Sequence, residues 1–468
     1  MSSHSILTLA AEAEEYAVSY TPSDGILVLL GFGMILTFMT LIMLGRVTPM
    51  VALITIPTIF GLVAGAGLGI GDMVIDSVKS MAPTAALLMF AIMFFGLMID
   101  VGLFDPLIRA LTKTLGDDPA KVVMATAILA AVVSLDGDGS TTYIITTSAM
   151  LPIYLRMGMS PVVLTVVAGL ANGTMNILPW GGPTVRAAAA LGLEPSEVFV
   201  PMVPSLAAGM VSVFVLAWFL GVAERRRLGG TVDSSRFAAA GQVDHFDSSM
   251  ADTALNPDRK TLRPKLIWVN VAITAIVMVL LIMDVLPLAY VFMAGTAVAL
   301  LVNFPHVRDQ ADEITAHAPS IVSVVSMVLA AGVLVGVLSG TGMVDAMAAW
   351  ITSVIPDSMG PYLAVITGLL SLPMTFFMSN DAFYFGILPV LAESASHYGI
   401  EPVEMARASI TGQPVHMQSP LVPAILLLVS LARVDLGAHH RKVLWRAIIV
   451  SLVMLAVALL VGVVPLHA

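Results

Sequence analysis

Asp136-Gly-Asp-Gly-Ser-Thr141 divides residues 121–156 into two apolar arms of about 15 residues each. At 1.5 Å per residue each arm is about 22 Å long, short of the roughly 30 Å hydrocarbon core of a bilayer. A segment that enters, turns at a polar tip and leaves on the side it came from accounts for both the arm length and the tip. Polar, irregular backbone is tolerated at that depth only where it is buried in protein or lines a cavity. Met378-Ser-Asn-Asp-Ala382 divides residues 361–396 in the same way. Two re-entrant hairpins, 121–156 and 361–396, are therefore expected.

The rest of the chain suits that setting. Of its 468 residues 58% are hydrophobic and 11% charged, with mean hydropathy +0.97, whereas a soluble domain carries about 25% charged residues. Apolar segments at 25–44, 47–70, 82–103, 159–192, 198–222, 264–283, 286–304, 318–340, 405–432 and 445–466 predict about ten transmembrane helices. The fold class expected is an all-α polytopic membrane protein. The net charge of −10 argues against a nucleic-acid partner, and the absence of cysteine excludes disulfides, thiolate metal ligands and cysteine nucleophiles. Residues 1–24 carry Glu12, Glu14 and Glu15 with no basic region before an apolar run, so a cleaved signal peptide is not expected. No Walker A sequence points to ATP.

With the amino terminus outside, 18 of the 21 Lys and Arg face the cytoplasm, leaving Lys79 outside and Arg186 and Arg407 in or beside spans. The chain then divides into an extracytoplasmic segment 1–24, a first membrane half 25–222, a polar cytoplasmic linker 223–264 and a second half 265–468. An offset of 241 positions sets Asp138-Gly-Ser-Thr-Thr-Tyr143 on Ser379-Asn-Asp-Ala-Phe-Tyr384, and Gly158-Met-Ser-Pro161 on Gly399-Ile-Glu-Pro402. It also sets Asn172-Gly-Thr-Met-Asn-Ile-Leu-Pro179 on Gln413-Pro-Val-His-Met-Gln-Ser-Pro420. The first hairpin would enter from the cytoplasm and the second from outside, an inverted repeat of the kind that builds secondary transporters.

Ionisable groups at membrane depth are costly and so become functional candidates. Asp136, Asp138 and Asp381 lie at the hairpin tips. They can offer hard oxygen ligands to a divalent cation, load a coupling proton, or merely cap helix arms. Asn172, Gly173, Asn176, Pro179, Gly181, Gly182 and Pro183 interrupt the fourth span, and Gln413, Pro414, Pro420 and Pro423 the ninth. Broken helices present half-helix amino termini to anions and loose carbonyls to cations. Ser140, Thr141, Thr142, Thr184, Ser379, Asn380, Gln418 and Ser419 add uncharged groups suited to carboxylate oxygens, though singly each also serves as packing glue between helices. Arg186 can pair a substrate carboxylate or snorkel to the interface. Arg407 is expected at the interface, neutralised by Glu401 and Glu404. His416 is a candidate proton carrier or a structural histidine, while His439 and His440 are placed in a cytoplasmic loop whose spacing supports no metal site.

At four blocks the sequence resembles the citrate-metal:proton symporter family (CitMHS), within the ion transporter superfamily. They are Ser134-Leu-Asp-Gly-Asp-Gly-Ser-Thr-Thr-Tyr143, Met175-Asn-Ile-Leu-Pro-Trp-Gly-Gly-Pro-Thr184, Phe377-Met-Ser-Asn-Asp-Ala-Phe-Tyr-Phe385 and Gly412-Gln-Pro-Val-His-Met-Gln-Ser-Pro-Leu-Val-Pro423. The resemblance implies import of a citrate-like carboxylate complexed with magnesium or calcium, together with protons, through the inner (plasma) membrane. It implies no tightly bound cofactor, the divalent metal being carried as part of the substrate. It also implies an elevator-type transporter: a scaffold that pairs as a homodimer, assigned to the continuous apolar spans 25–70 and 264–304, and a moving unit of hairpins and broken helices. Sodium-coupled relatives in the superfamily carry Ser-Asn-Thr at both tips; carboxylates at these tips suit a divalent metal or a proton better than sodium. The alternative transport reading is a proton- or sodium-coupled carrier or exchanger of another di- or tricarboxylate or organic anion. A membrane hydrolase using Asp136 and Asp138 as acid and base is disfavoured, because catalysis needs no second, inverted copy of the site.

Overall fold

Proline and glycine punctuate the helices at matching places in the two halves. Pro161 and Pro402 each stand at the first position of a helix, where a missing N–H costs nothing. Gly158 (φ +68°) and Gly399 (φ +84°) each turn the chain just ahead of them in the left-handed region. The computed structural model describes residues 16, 18–20, 22–44, 46–114, 118–137, 139–230, 259–283, 285–356 and 358–468. Most of the segment 1–24 and residues 231–258 of the 223–264 linker lie outside them. Among the described residues the regular structure is all helical, with no strand.

The 241-residue offset found at the motifs extends along the chain. Asp24–Met43, Pro49–Val63 and Ile70–Asp100 are answered by Ile267–Met283, Leu288–Asn303 and Val307–Gly340. Pro119–Val133 and Gly139–Arg156 are answered by Leu363–Phe377 and the pair Ala382–Ile387 and Leu388–Ser396. Pro161–Met175 and Gly182–Leu191 are answered by Pro402–Ile410 with Gln413–His416, and by Pro423–Leu431. Both long spans expected at 159–192 and 405–432 are thus broken near their middles.

Two groups of helices result. In the first, Ile70–Asp100 crosses Val307–Gly340, and each is flanked by a helix of the other half: Leu288–Asn303 packs on Ile70–Asp100, and Pro49–Val63 on Val307–Gly340. Lipid tails are as apolar as leucine, so close backbone approach and van der Waals contact hold such a crossing. Gly332, Gly336 and Gly340 line one face of the later helix. A Cβ on Gly332 would come within 2.9 Å of Val78, and one on Gly336 within 2.5 Å of the Met73 carbonyl oxygen. The second group gathers the two helix–turn–helix segments, the two broken helices, Val203–Arg227 and Leu436–Leu460. A cleft of about 450 Å³ marks part of the seam between the groups, lined among others by Met73, Asp76, Gly340, Ala189 and Glu393.

Seven helices of the described residues are long and apolar enough to cross a membrane, and the chain is a multi-pass membrane protein. Span limits differ from the sequence expectation in an instructive way. The spans expected to begin at 82 and 318 start at Ile70 and Val307, because Asp72, Asp76 and Lys79 in one, and Asp309, Asp312 and Glu313 in the other, sit on continuous helix. The first arms of the two helix–turn–helix segments, with their short flanking turns, span Pro119–Asp136 and Gly360–Phe377, 18 residues each, somewhat longer than the expected arms. His439 and His440 are not in a loop. Asp435 accepts a hydrogen bond from the Ala438 N–H at 2.9 Å and starts a helix at Leu436 that includes both. Arg407 donates to the Glu197 carbonyl oxygen at 2.9 Å and to that of Val463 at 3.4 Å, so main-chain oxygens share the role expected of Glu401 and Glu404.

Candidate functional site

Breaking a helix frees main-chain and side-chain groups, and the two breaks put them side by side. The chain bends after Met175 and restarts at Gly182, and it bends after His416 and restarts at Pro423. The Gln413–His416 turn packs on Pro161–Met175, and Gly173 lets the segments touch: a Cβ there would lie 3.0 Å from Pro414 Cα. Each turn between paired helices ends at a break. At the first, Trp180 Nε1 donates to the Leu135 carbonyl oxygen at 2.8 Å. At the second, Gln413 Nε2 donates to Asn380 Oδ1 at 3.3 Å and to the Tyr384 hydroxyl at 2.9 Å.

One hydrogen-bonded chain joins the halves. Asn176 Nδ2 donates to Gln413 Oε1 at 3.1 Å, and Gln413 carries the link on to Asn380 and Tyr384. Beside it runs an ion pair. Arg186 Nε donates to Asp381 Oδ1 at 2.7 Å, with the two side chains 16% and 11% exposed. Arg186 Nη1 also donates to the Gly182 carbonyl oxygen at 3.1 Å. Arg186 rises from the restarted helix of the first break, and Asp381 sits at the turn of the opposite half, so the pair spans 195 residues of sequence. The backbone after Asp381 runs as a π-helical turn, Ala382–Ile387, a form that concentrates at functional sites.

A second polar cluster lies at the first turn. Asn172 Nδ2 donates to Ser134 Oγ at 3.1 Å, and Thr142 Oγ1 donates to the same oxygen at 3.3 Å. Asn172 is buried, and its Oδ1 has no hydrogen-bond donor. Asp136 is buried at this turn, and Ser140 and Thr141 are half-buried just after it. Asp138 lies outside the described residues.

Other candidates are occupied with holding the breaks. Thr184 Oγ1 donates to the Ile177 carbonyl oxygen at 2.6 Å, and Gly181 sits so close to the Asn176 carbonyl that a side chain there has no room. Gln418 Nε2 donates to the carbonyl oxygens of Gly169 and Pro414, both at 3.0 Å, and Ser419 Oγ to that of Phe376 at 2.6 Å. His439 is fully buried between Thr165 Oγ1 at 3.0 Å and Gln418 Oε1 at 3.2 Å. His416 Nδ1 faces the Thr375 carbonyl oxygen at 2.5 Å. A carbonyl only accepts, so Nδ1 carries the proton and Nε2 of the neutral ring is the acceptor. Ser379 Oγ accepts from the Ala382 N–H at 3.2 Å, a helix-capping bond.

Ser134, Tyr384 and Trp180 were not among the expected site residues. The repeat held a signal for Tyr384, which aligns with Tyr143, and for Ser134, which aligns with Thr375. Trp180 does more than close the turn: its ring packs edge-on against Phe292 at 5.3 Å and lies 5.8 Å from Phe95. Both partners belong to the other helix group, so Trp180 is a contact across the seam.

The geometry offers a fixed cation, a carboxylate bound to it and a row of amides at the meeting point of two broken helices. Comparisons with known proteins agree with a transport role. Residues 17–412 match the family model described as citrate transporter (CitMHS). A protein of Bacillus subtilis (strain 168) named citrate transporter is 49% identical over 439 residues, covering 94% of this chain and 99% of its own length. A second from the same organism, named Mg(2+)/citrate complex secondary transporter, is 44% identical over 441 residues, covering 94% of this chain and 99% of its own. Among solved structures, the YdaH transporter of Alcanivorax borkumensis shares the fold with a TM-score of 0.59 at 13% identity, over 94% of this chain and 100% of that one.

Proposed function

The chain belongs to the citrate transporter family, whose members are transporters of the plasma membrane and not enzymes, and we propose that it imports citrate complexed with a divalent metal of the Mg or Ca type in symport with protons. The observation that carries the reading is the Arg186–Asp381 pair beside the Asn176–Gln413–Asn380 amide row. Fully ionised citrate bound to one divalent cation keeps a single negative charge, which matches one arginine. The metal offsets the rest of the substrate's charge, so the site needs no further cations. The 44%-identical relative named for a Mg(2+)/citrate complex supports this substrate.

The same pair supplies the coupling. While Asp381 is ionised it holds Arg186 Nε. A proton arriving at Asp381 releases the guanidinium, and a substrate carboxylate takes the place of the Asp oxygen. Substrate then rides with the proton, because each favours the same state of Arg186. Asn176, Asn380 and Gln413 orient the complex through amide groups. Ser140, Thr141 and Thr142 supply hydroxyl oxygens for it, and Asp136 and Asp138 supply carboxylates for the metal at the first turn.

The places where the turns end support a reading of re-entrant hairpins in an inverted repeat. Both meet the middles of broken helices, so in a bilayer their tips lie near mid-depth even though their first arms reach 18 residues. The second helix group is the moving unit of an elevator, sliding against the Ile70–Asp100 and Val307–Gly340 group along the seam at Trp180. Exposed Trp268, Ile276, Val279 and Met283 on Ile267–Met283 give the scaffold a face for lipid and for a second copy. Single cysteines introduced along that face should cross-link a dimer in native membranes; a uniformly monomeric product would remove the homodimer from this scheme.

The test is uptake of labelled citrate by proteoliposomes, with Mg2+, Ca2+ or chelator outside and with or without an imposed proton gradient. Uptake requiring both a divalent ion and the gradient is the expected result. Uptake undiminished by chelator would make the protein a free-anion carrier, and uptake indifferent to the gradient would remove the proton.

A further inference from the structure

Asp100, Glu313 and His317 form a cluster in the first helix group. Asp100 ends the helix Ile70–Asp100, while Glu313 and His317 are four residues apart, on one face of Val307–Gly340. One ligand atom from each lies within 4.8 Å of the other two, and His317 Nε2 stands 3.0 Å from Asp100 Oδ2. We propose that this cluster is a binding site for a free divalent cation, separate from the substrate site, clamping the two long helices together.

Three observations point to a ligand. Glu313 is 8% exposed, one of its carboxylate oxygens belongs to the cluster, and its Oε2 has no hydrogen-bond donor. A buried carboxylate oxygen without a donor is costly, and a metal ion satisfies it. Second, the imidazole has a made-to-fit seat: a Cβ on Gly96 would fall 2.5 Å from His317 Cε1, so the ring can occupy its place only against glycine. Gly96 is one helical turn before Asp100, and the seat therefore fixes the ring beside the carboxylate. Third, the fold does not need the cluster for its own sake. The 241-residue offset carries Glu313 and His317 back to Asp72 and Asp76, and Asp100 forward to Thr341. There Asp76 pairs with Lys79 at 2.7 Å, and Thr341 bonds its own helix at Val337. The same helix crossing thus stands at its other end without three convergent ligands.

Two carboxylates and one imidazole favour an ion that accepts both oxygen and nitrogen, of the Mn2+ or Zn2+ kind, over Mg2+ or Ca2+, which take oxygen. The site is also where the chain returns from residues 231–258. Arg259 Nε donates to the Asp100 carbonyl oxygen at 2.8 Å, its Nη2 contacts both Asp105 carboxylate oxygens at 3.1 Å, and Thr261 Oγ1 donates to the Asp100 carbonyl oxygen at 3.1 Å. The donors of Arg263 go to the carbonyl oxygens of Asn303, Lys260 and Leu262. An ion here would fasten the end of the linker as well as the two helices.

The experiment uses full-length protein, stripped with chelator and free of citrate. Binding of Mn2+ is followed by its electron paramagnetic resonance signal and binding of Zn2+ by elemental analysis after gel filtration. One ion per chain is expected, with affinity lowered about tenfold or more in Glu313→Gln and in His317→Gln and unchanged in Asp136→Asn. Bound Mn2+ should show nitrogen hyperfine coupling that His317→Gln removes. The ion should also raise the thermal unfolding temperature of the wild type and not of Glu313→Gln, a readout independent of transport. Sub-stoichiometric binding would overturn the proposal, and binding that survives both cluster variants and disappears in Asp136→Asn would overturn it and assign the metal to the substrate site.

Discussion

Asp381→Asn is expected to abolish citrate uptake driven by a proton gradient while leaving exchange of metal-citrate across the membrane in place, whereas Arg186→Gln is expected to abolish both. The asymmetry follows from the 2.7 Å bond between Arg186 Nε and Asp381 Oδ1. Asparagine has the shape of a protonated aspartate and can still accept a hydrogen bond, but it cannot release or take up the proton that the proposed coupling needs. The guanidinium in that variant stays permanently available to substrate, so loading and exchange continue and the gradient has nothing to act on. On the proposed reading, removing Arg186 deletes the cation that answers the substrate's residual charge. Truncating one partner of a buried, charge-assisted hydrogen bond costs about 2–5 kcal/mol, roughly thirtyfold to a few thousandfold in affinity. Counterflow and gradient-driven uptake, measured on matched amounts of reconstituted protein, separate the two variants. Gradient-driven uptake persisting in Asp381→Asn would move the proton to another group, and exchange surviving in Arg186→Gln would take the arginine out of the site.

The sequence made the turns and the breaks visible because polar groups inside apolar stretches stand out against a membrane's demand for satisfied backbone. Asn172, Asn176, Asn380, Asp381 and Gln413 are legible on that ground alone, and the 241-residue offset places them at matching points of two halves. The pairing between them was not legible. Arg186 and Asp381 are 195 residues apart and have no counterpart charges in the other half, since the offset sets Leu427 against Arg186 and Ser140 against Asp381. No periodicity could join them. Trp180 and Tyr384 read as apolar bulk, because an aromatic ring with one polar atom matches a core residue until its partner is known.

Charge misled the reading at the helix ends. A span begun after the last charge cuts Asp72, Asp76, Glu313 and His317 away from the helices they belong to. A helix needs apolar residues only where it meets lipid; elsewhere it continues wherever backbone bonds and side-chain partners allow. Asp76 is answered by Lys79 three residues on, and Glu313 stands beside Asp100 and His317 where the two long helices meet. The same preference sent His439 to a loop, although Thr165 and Gln418 give its ring two partners inside the protein.

Gly181→Val is expected to lower uptake about a hundredfold or more while the protein still reaches the membrane. The first break folds tightly on itself: the Gly181 N–H donates to the Leu178 carbonyl oxygen at 2.7 Å, and Thr184 Oγ1 closes onto Ile177. A Cβ at Gly181 would strike the Asn176 carbonyl oxygen and lie 2.9 Å from both Asn176 C and the Leu178 carbonyl oxygen. All three obstacles are main-chain atoms, so the strain cannot be relieved by turning a side chain. The backbone at Asn176 has to move, and with it the amide that reaches Gln413 at 3.1 Å. Displacing a positioning group by about 1 Å costs on the order of a hundredfold in rate. The apolar helices on either side are untouched, so insertion should hold. Gly71→Ala is the matched control, since a Cβ there meets nothing within 4 Å, and its uptake should equal that of the wild type. Wild-type uptake by Gly181→Val would mean that the first break takes no part in the site, because the substitution cannot be accommodated without shifting Asn176.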